Sequence, residues 1–206
     1  HGKSGKRGFF FSQHVNEISL FFAIVVLYVI FSSAAPGFLS FNNQVNILRD
    51  AATIGIAAWA VTLIIIAGEI DVSVGPMVAF ISVELAFLLQ MGVPTPFAFV
   101  LAIMLGALLG AVPGILRAYF DVPSFVGTLG MWSALRGTAL FVTDALPVSI
   151  GRNDMLDALD RSLFGIPPAA IIMLVLFAVF TFVSRKTAFG RSVFAIGGNA
   201  HAAFLS

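Results

Sequence analysis

Nine residues between two apolar runs decide how this chain folds: Gly68-Glu69-Ile70-Asp71-Val72-Ser73-Val74-Gly75-Pro76. Residues 51–67 before them carry no charge, and residues 77–92 after them carry only Glu84. One hydrophobic helix therefore ends where the glycine and the carboxylates begin, and another starts just after them. Asp71 or Ser73 is a suitable residue to cap that second helix. We predict that the nine residues form a break between two helices.

The acidic pair in this break, Glu69 and Asp71, has two interpretations that are compatible with each other. Carboxylates are stabilising at helix N-termini, so the pair can be purely structural. Irregular backbone at membrane depth is also tolerated where it lines a cavity, so the break can form part of a pathway or gate. The hinge and helix-cap motif predicted here comprises Gly68, Glu69, Asp71, Ser73 and Gly75.

Composition places the whole chain in a bilayer. It is 59% hydrophobic and 10% charged, whereas globular proteins are about 25% charged. Its apolar runs of roughly 17 to 25 residues match the length of a membrane-spanning helix, and no alternation over about ten residues indicates a β-barrel. We predict an all-α polytopic membrane protein with about six spans: residues 18–35, 47–67, 75–92, 97–116, 125–142 and 169–183.

Several chemistries are excluded by what the sequence lacks. Without cysteine there is no disulfide, thiolate metal site or cysteine nucleophile, and three scattered histidines form no ligand cluster. A net charge of +1 gives no indication of nucleic-acid binding, and no glycine-rich phosphate-binding loop is present. We expect no catalytic residue, no metal and no cofactor in this chain.

Basic residues set the expected orientation, because they concentrate in cytoplasmic connections. They cluster before the first span, after the fourth and after the sixth: Lys3, Lys6, Arg7, Arg117, Arg185, Lys186 and Arg191. Six crossings with both termini in the cytoplasm agree with these clusters. The polar connection at 41–46 and the segment 143–168, a loop or surface helix, then lie outside. A cleavable signal peptide ending near Ser33 and Ala35 is the alternative interpretation of the first span.

Four residues are candidates for lining a translocation pathway. An ionised Glu84 near mid-membrane is costly unless it is hydrated or paired, so it either accepts hydrogen bonds from a sugar or pairs with Arg136. Thr128, Trp132 and Arg136 recur every four residues and share a helix face. The structural alternatives are that Arg136 extends to the interface and that Trp132 packs in the core or against lipid.

Two further features concern helix packing and the C-terminus. Gly106, Gly110 and Gly114 form a small-residue face on the fourth span, where Pro113 predicts a kink. Gly197-Gly198-Asn199 predicts a turn followed by a short helix with Asn199 as its N-cap. Phe204 and Leu205 then either insert into a groove on a soluble partner or lie among the lipid headgroups.

Three stretches carry a resemblance to a known family: Gly68-Glu-Ile-Asp-Val-Ser-Val-Gly75, Val122-Pro-Ser-Phe-Val-Gly-Thr-Leu-Gly-Met131 with Arg136-Gly137 and Thr143, and Thr187-Ala-Phe-Gly-Arg191 with Ala195-Ile-Gly-Gly-Asn199 and Ala202-Ala203-Phe204-Leu205-Ser206. Their order and spacing resemble the membrane permease subunits of the ATP-binding cassette importers for ribose, xylose, galactose and related sugars. The resemblance covers most of the chain. It implies a single permease domain over residues 1–206, the N-terminal part of a subunit with about ten spans.

The resemblance also implies a function and partners. It implies alternating-access import of a monosaccharide through a permease in the bacterial inner membrane, paired with a second permease subunit. A periplasmic sugar-binding protein would deliver the sugar, and a separate ATPase subunit would hold ATP and Mg. Residues 185–206 would form the cytoplasmic ATPase-coupling segment, with contacts from Gly197, Gly198, Asn199, Ala202, Phe204 and Leu205.

Two alternatives remain open on the residues alone. A secondary transporter would use Glu69, Asp71 or Glu84 to bind a proton or cation. A membrane scaffold without transport activity would use the glycine face only for assembly.

Overall fold

The computed structural model describes residues 15–162 and 165–204, and in that part of the chain all the regular elements are helices. They are α1 Val15–Ala34, α2 Phe41–Ile66, α3 Val74–Gln90, α4 Thr95–Phe120, α5 Ser124–Val142, α6 Asp154–Asp160, α7 Pro168–Lys186 and α8 Ala188–Phe204. The prediction of an all-α fold is confirmed. Lys3, Lys6, Arg7, Leu205 and the side chain of Phe204 lie outside the described residues.

Each of the six predicted spans corresponds to a helix. Within the described residues, four of these helices are long and apolar enough to cross a membrane: α2, α4, α5 and α7. The apolar parts of α1 and α3 are shorter, and α3 has 17 residues. The chain is therefore a polytopic helical protein of membrane-spanning composition.

The chain divides into two compact units, residues 1–48 and residues 49–206. In the first unit, the chain reverses after α1 through a turn at Gly37, whose φ of 81° is readily available only to glycine. The Phe38 ring lies 5.3 Å from that of Tyr28 and 5.6 Å from that of Phe31. This aromatic group holds the turn against the last two turns of α1.

The predicted polar connection at 41–46 is wrong, because α2 begins at Phe41 and these residues are helical. The amides of Asn43 and Gln44 donate to the Phe38 carbonyl oxygen at 2.7 and 2.6 Å. These polar side chains bind the turn that precedes the helix. The helix can therefore begin within a polar stretch of sequence.

In the second unit, α3 packs against both α4 and α5, and α4 packs against α5. Their contacts bury small side chains, among them Ala86, Ala98, Ala102 and Ala139. Small residues allow helix backbones to approach closely in lipid. α4 continues through Pro113, which is buried, and a Cβ on Gly127 of α5 would lie 3.7 Å from the Pro113 Cβ.

The remaining helices of this unit meet along α7, which packs against α6 and α8. The ring of Trp59 in α2 lies 4.7 Å from that of Phe177 in α7. One helical turn or so earlier, Gly55 leaves room for the side chain of Met173, which a Cβ at that position would overlap. α2 and α7 are therefore neighbours.

Candidate functional site

The predicted break between helices is present at residues 67–73. α2 ends at Ile66, and the chain turns at Gly68 with φ of 81°. The N–H of Gly68 donates to the Ile65 carbonyl and that of Glu69 to the Ile64 carbonyl, at 2.9 and 3.1 Å. These paired bonds are the glycine-terminated helix end known as a Schellman motif. The glycine thus ends α2 where the sequence predicted.

Asp71 and Ser73 close the other side of the break. The Asp71 carboxylate accepts from the Ser73 N–H at 2.8 Å and from the Ser73 hydroxyl at 2.6 Å. Ser73 occupies the N-cap position of α3 and is 2% exposed, but its hydroxyl makes no capping bond. The N-cap position lies at Ser73, as the sequence predicted, but the predicted side-chain cap is absent because the serine hydroxyl donates to Asp71 instead.

Two hydroxyls from α5 hold the backbone of the break. The Ser124 hydroxyl accepts from the Ile70 N–H at 3.1 Å, and the Thr128 hydroxyl accepts from the Val72 N–H at 3.4 Å. The Thr128 hydroxyl also donates to the Ser124 carbonyl at 2.8 Å. Non-helical backbone inside a membrane protein needs such partners. The break is therefore bound to the first two turns of α5.

Glu69 is paired with a residue on α4 that sequence reasoning did not connect to it. The Arg117 Nε lies 2.8 Å from Glu69 Oε1, and Arg117 Nη1 lies 4.0 Å from Asp121 Oδ1. The Ser124 hydroxyl, followed by Arg117, lowers the pKa of Glu69 against the opposing effect of burial. Glu69 is therefore an ionised partner of Arg117.

This ion pair forms one wall of a cleft of about 750 Å³. The opposite wall belongs to α8 and consists of Arg191, Ser192, Ala195, Ile196, Ala200 and Ala203. The break and the C-terminal helix thus share one surface at the same end of the unit.

The C-terminal segment is more helical than the sequence predicted. The expected turn at Gly197 and Gly198 is absent, because α8 continues through both glycines and departs from helical geometry only at Asn199, with φ −161° and ψ 99°. The Asn199 side-chain oxygen accepts from the Ala202 N–H at 3.0 Å. Asn199 is thus the N-cap that the sequence predicted, and it restarts the helix after a one-residue interruption.

The two glycines before Asn199 have different surroundings. A Cβ on Gly197 would overlap the backbone carbonyl of Ile66 at the end of α2, whereas a Cβ on Gly198 would meet nothing within 4 Å. Gly197 therefore permits close packing of α8 on α2. Gly198 faces open space.

The pathway candidates do not form one cluster. Thr128 is 3% exposed and is occupied with the break. Trp132 and Arg136 lie together, with the guanidinium 5.6 Å from the indole centroid, and line a cavity of about 290 Å³ beside Gly75 and Pro76. Thr128 was predicted to share their face of α5, but it does not line this cavity.

Glu84 lies apart from those residues. It lines a separate cavity of about 260 Å³ with Thr138 and apolar side chains, and its Oε2 is buried without a hydrogen-bond partner. Within the described residues, Glu84 and Arg136 form no ion pair, so that expected alternative is wrong. The two residues line different cavities between α3 and α5.

The opposite end of the unit is held by residues 143–162. Arg49 binds Asp160 through both its carboxylate, at 3.2 Å, and its backbone carbonyl, at 2.8 Å. Gln90 donates to the Ser149 carbonyl, and Asn153 donates to the Thr95 hydroxyl, each at 2.8 Å. These contacts join the loop to α2, α3 and α4, and no pattern in the sequence indicates them.

The helical fold, with a break between α2 and α3 that is bound to α5, defines a polytopic membrane protein. Residues 43–206 match the family described as the permease component of the branched-chain amino acid transport system, and the chain belongs to that family. This match confirms the predicted resemblance to transporter permease subunits, which are transport components and not enzymes. The likeness to sugar importers is confirmed by the relatives described next.

The relatives of this chain are named as transporter permeases, and several are named for the transport of a sugar. The chain is 65% identical to the probable ABC transporter permease protein YphD of Escherichia coli K12, over 99% of this chain and 61% of that protein. It is 34% identical to the ribose import permease protein RbsC of E. coli K12, over 98% and 64%. It is 31% identical to the L-arabinose ABC transporter permease protein AraH of Azospirillum brasilense, over 94% and 57%. The chain thus spans about three fifths of the length of these relatives. No solved structure matches it.

Proposed function

We propose that this chain belongs to the permease subunit of an ATP-dependent importer for a monosaccharide, a pentose, a hexose or a related small solute. The observation that carries the proposal is membership of the permease family together with relatives named for ribose and arabinose import. The subunit would lie in the bacterial inner membrane and work by alternating access with a second permease copy or homologue. ATP and Mg would be bound by a separate ATPase subunit, and a periplasmic binding protein would deliver the sugar.

The proposed topology has six crossings with both ends of the chain in the cytoplasm. The break, the end of α4 and α8 line one cleft at one end of the second unit, and Arg117, Arg185, Lys186 and Arg191 lie at that end. Basic residues favour the cytoplasmic side. The loop 143–162 is joined to the opposite end, which this topology places in the periplasm.

Within the proposed pathway, Trp132 and Arg136 are the residues best suited to contact a sugar. An indole face and a guanidinium beside the same cavity offer a stacking surface and hydrogen-bond donors. Glu84 offers an acceptor in its own cavity. Because the Thr128 hydroxyl is occupied by the backbone, we assign Thr128 to positioning the break.

The coupling segment is proposed to be the last turns of α8, where Gly198, Asn199 and Ala202 form an exposed surface beside the interruption. With Gly197, Phe204 and Leu205 they complete the proposed contact with the ATPase. A Cβ at Gly198 would meet no atom of this chain within 4 Å, so this position is suited to testing the contact by substitution.

The deciding experiment measures uptake of radiolabelled ribose, arabinose, xylose and galactose in cells that express the permease with its ATPase and binding protein. We expect uptake of at least one sugar that needs the ATPase and survives a protonophore. Gly198→Trp and Ala202→Trp should abolish uptake and ATPase stimulation while the protein still inserts in the membrane. Uptake that persists without the ATPase, or in both variants, would overturn the proposal and favour a proton- or cation-coupled carrier.

The carrier alternative has little support in the site. Glu69 is paired with Arg117, and Asp71 is bonded to Ser73. Among the three carboxylates considered for ion coupling, Glu84 alone has a buried oxygen without a hydrogen-bond partner in the described part of the chain.

A further inference from the structure

A second cavity, formed between α2, α7 and α8, has a polar end and an apolar end. Its volume is about 380 Å³, and its lining includes Ile66, the last residue of α2 before the break. Arg185, Ser184 and Thr181 line one end, and Trp59 and Phe177 line the other. Along α7, Phe177 and Arg185 are separated by about 12 Å at 1.5 Å per residue. The cavity therefore changes from charged to aromatic over roughly the length of a lipid headgroup and its first methylenes.

Arg185 is an unpaired cation in the part of the chain that the structure describes. No carboxylate lies within ion-pair distance of it, unlike Arg49, Arg117 and Arg152, which each have an acidic partner. It is exposed near the C-terminus of α7, one residue before Lys186. Since α7 is long enough to cross the membrane, its charged end lies at the level of the headgroups.

We propose that this cavity is a binding site for an anionic phospholipid. Arg185 binds the phosphate, Ser184 and Thr181 face the glycerol region, and an acyl chain lies along the outer side of the contacting rings of Trp59 and Phe177. Basic pockets between membrane helices are suited to anionic headgroups. A zwitterionic lipid fits less well, because it would bring its own cation to Arg185.

Phe194 connects this site to α8. Its ring lines the same cavity from the C-terminal helix. A bound lipid would therefore contact α2, α7 and α8 together, and its effect would be to hold α8 against the end of α2.

The test compares binding of phosphatidylglycerol and phosphatidylcholine to the purified protein by native mass spectrometry. Arg185→Ala and Lys186→Ala form a matched pair, because each removes one charge from the same helix end and only Arg185 lines the cavity. We expect phosphatidylglycerol to bind about fivefold more weakly to R185A, the effect of one basic residue near a lipid surface. K186A should bind as the wild type does. Equal losses in the two variants would overturn the proposal, since they would indicate general attraction to the interface.

A second measurement locates the lipid in the cavity. The chain has no cysteine, so Thr181→Cys and Ser82→Cys each give a single thiol, with Thr181 lining the cavity and Ser82 exposed on α3. We expect phosphatidylglycerol to slow maleimide labelling of T181C and not of S82C. Labelling of T181C that is unaffected by phosphatidylglycerol would overturn the proposal. A T181C thiol that does not react even in pure detergent would also overturn it, because protein would then cover the cavity.

Discussion

The Nε of Arg117 lies 2.8 Å from Oε1 of Glu69, which joins the end of α4 to the break that precedes α3. Both side chains are partly exposed, at 46% and 31%. Ion pairs between solvent-accessible side chains contribute little to stability, because water and salt screen them. We expect Arg117→Leu to lower the melting temperature in detergent only slightly. The exchanged pair Glu69→Arg with Arg117→Glu should recover most of the loss, whereas either reversal alone should not.

The same ion pair predicts a pH dependence. The pKa of Glu69 is lowered in the folded protein, so its stabilising contribution is present above the ordinary glutamate pKa near 4.5 and is lost as the pH falls through the lower, folded value. The difference in melting temperature between wild type and Glu69→Gln should therefore disappear in acid. A difference that instead grew as the pH fell below 4 would contradict the assigned direction.

Thr128 should be more important for stability than its size implies. Thr128→Val keeps the shape of the side chain but leaves the Val72 N–H without its partner. An unsatisfied buried donor costs about 1–3 kcal/mol. We expect a clear loss of thermal stability. The control is Thr143→Val, since the Thr143 hydroxyl bonds chiefly the carbonyl of Ala139 in its own helix, at 2.8 Å. Equal effects of the two substitutions would argue against the role of α5 in holding the break.

Adjacent glycines in α8 should respond oppositely to the same substitution. Gly197→Ala places a methyl group against the Ile66 carbonyl and should displace α8 from α2, with loss of stability or of protein yield. Gly198→Ala points into open space and should be tolerated. Size-exclusion profiles and melting curves of the two alanine variants give the comparison. A stable G197A protein with a wild-type profile would refute the close packing.

We expect replacement of the Glu84 carboxylate to stabilise the folded protein. Its Oε2 is buried in an apolar cavity without a partner, and a charge in such a place is costly. Glu84→Gln should therefore raise the melting temperature or leave it unchanged. A marked loss of stability would instead indicate a partner that binds the carboxylate.

Much of the fold follows from local sequence, because each helix end is decided by a few neighbouring residues. Gly68 ends α2, and Asn199 caps the last turn of α8, as their residue types predict. The contact between Glu69 and Arg117 could not be predicted, since 48 residues separate the two and many arginines and carboxylates satisfy the same charge rule. The start of α2 was predicted wrongly because polarity indicates a loop only when the side chains do not bind a neighbouring turn.

The surroundings of the candidate pathway residues could likewise be predicted only in part. Spacing by four correctly places Thr128, Trp132 and Arg136 on related turns of α5, but periodicity does not tell which neighbour covers each turn. The first of the three is covered by the break, and the other two border a cavity. Helix spacing therefore predicts the face of α5 on which a side chain lies. Whether that side chain is exposed depends on which neighbouring element packs against it.

The two ends of the second unit are fastened by entirely different bonds. Hydroxyls and one ion pair act at the break, whereas Arg49, Gln90 and Asn153 act at the loop 143–162. No residue takes part in both sets. One end can consequently loosen while the other stays fastened, so a substitution at one end should weaken that end without dissolving the bundle.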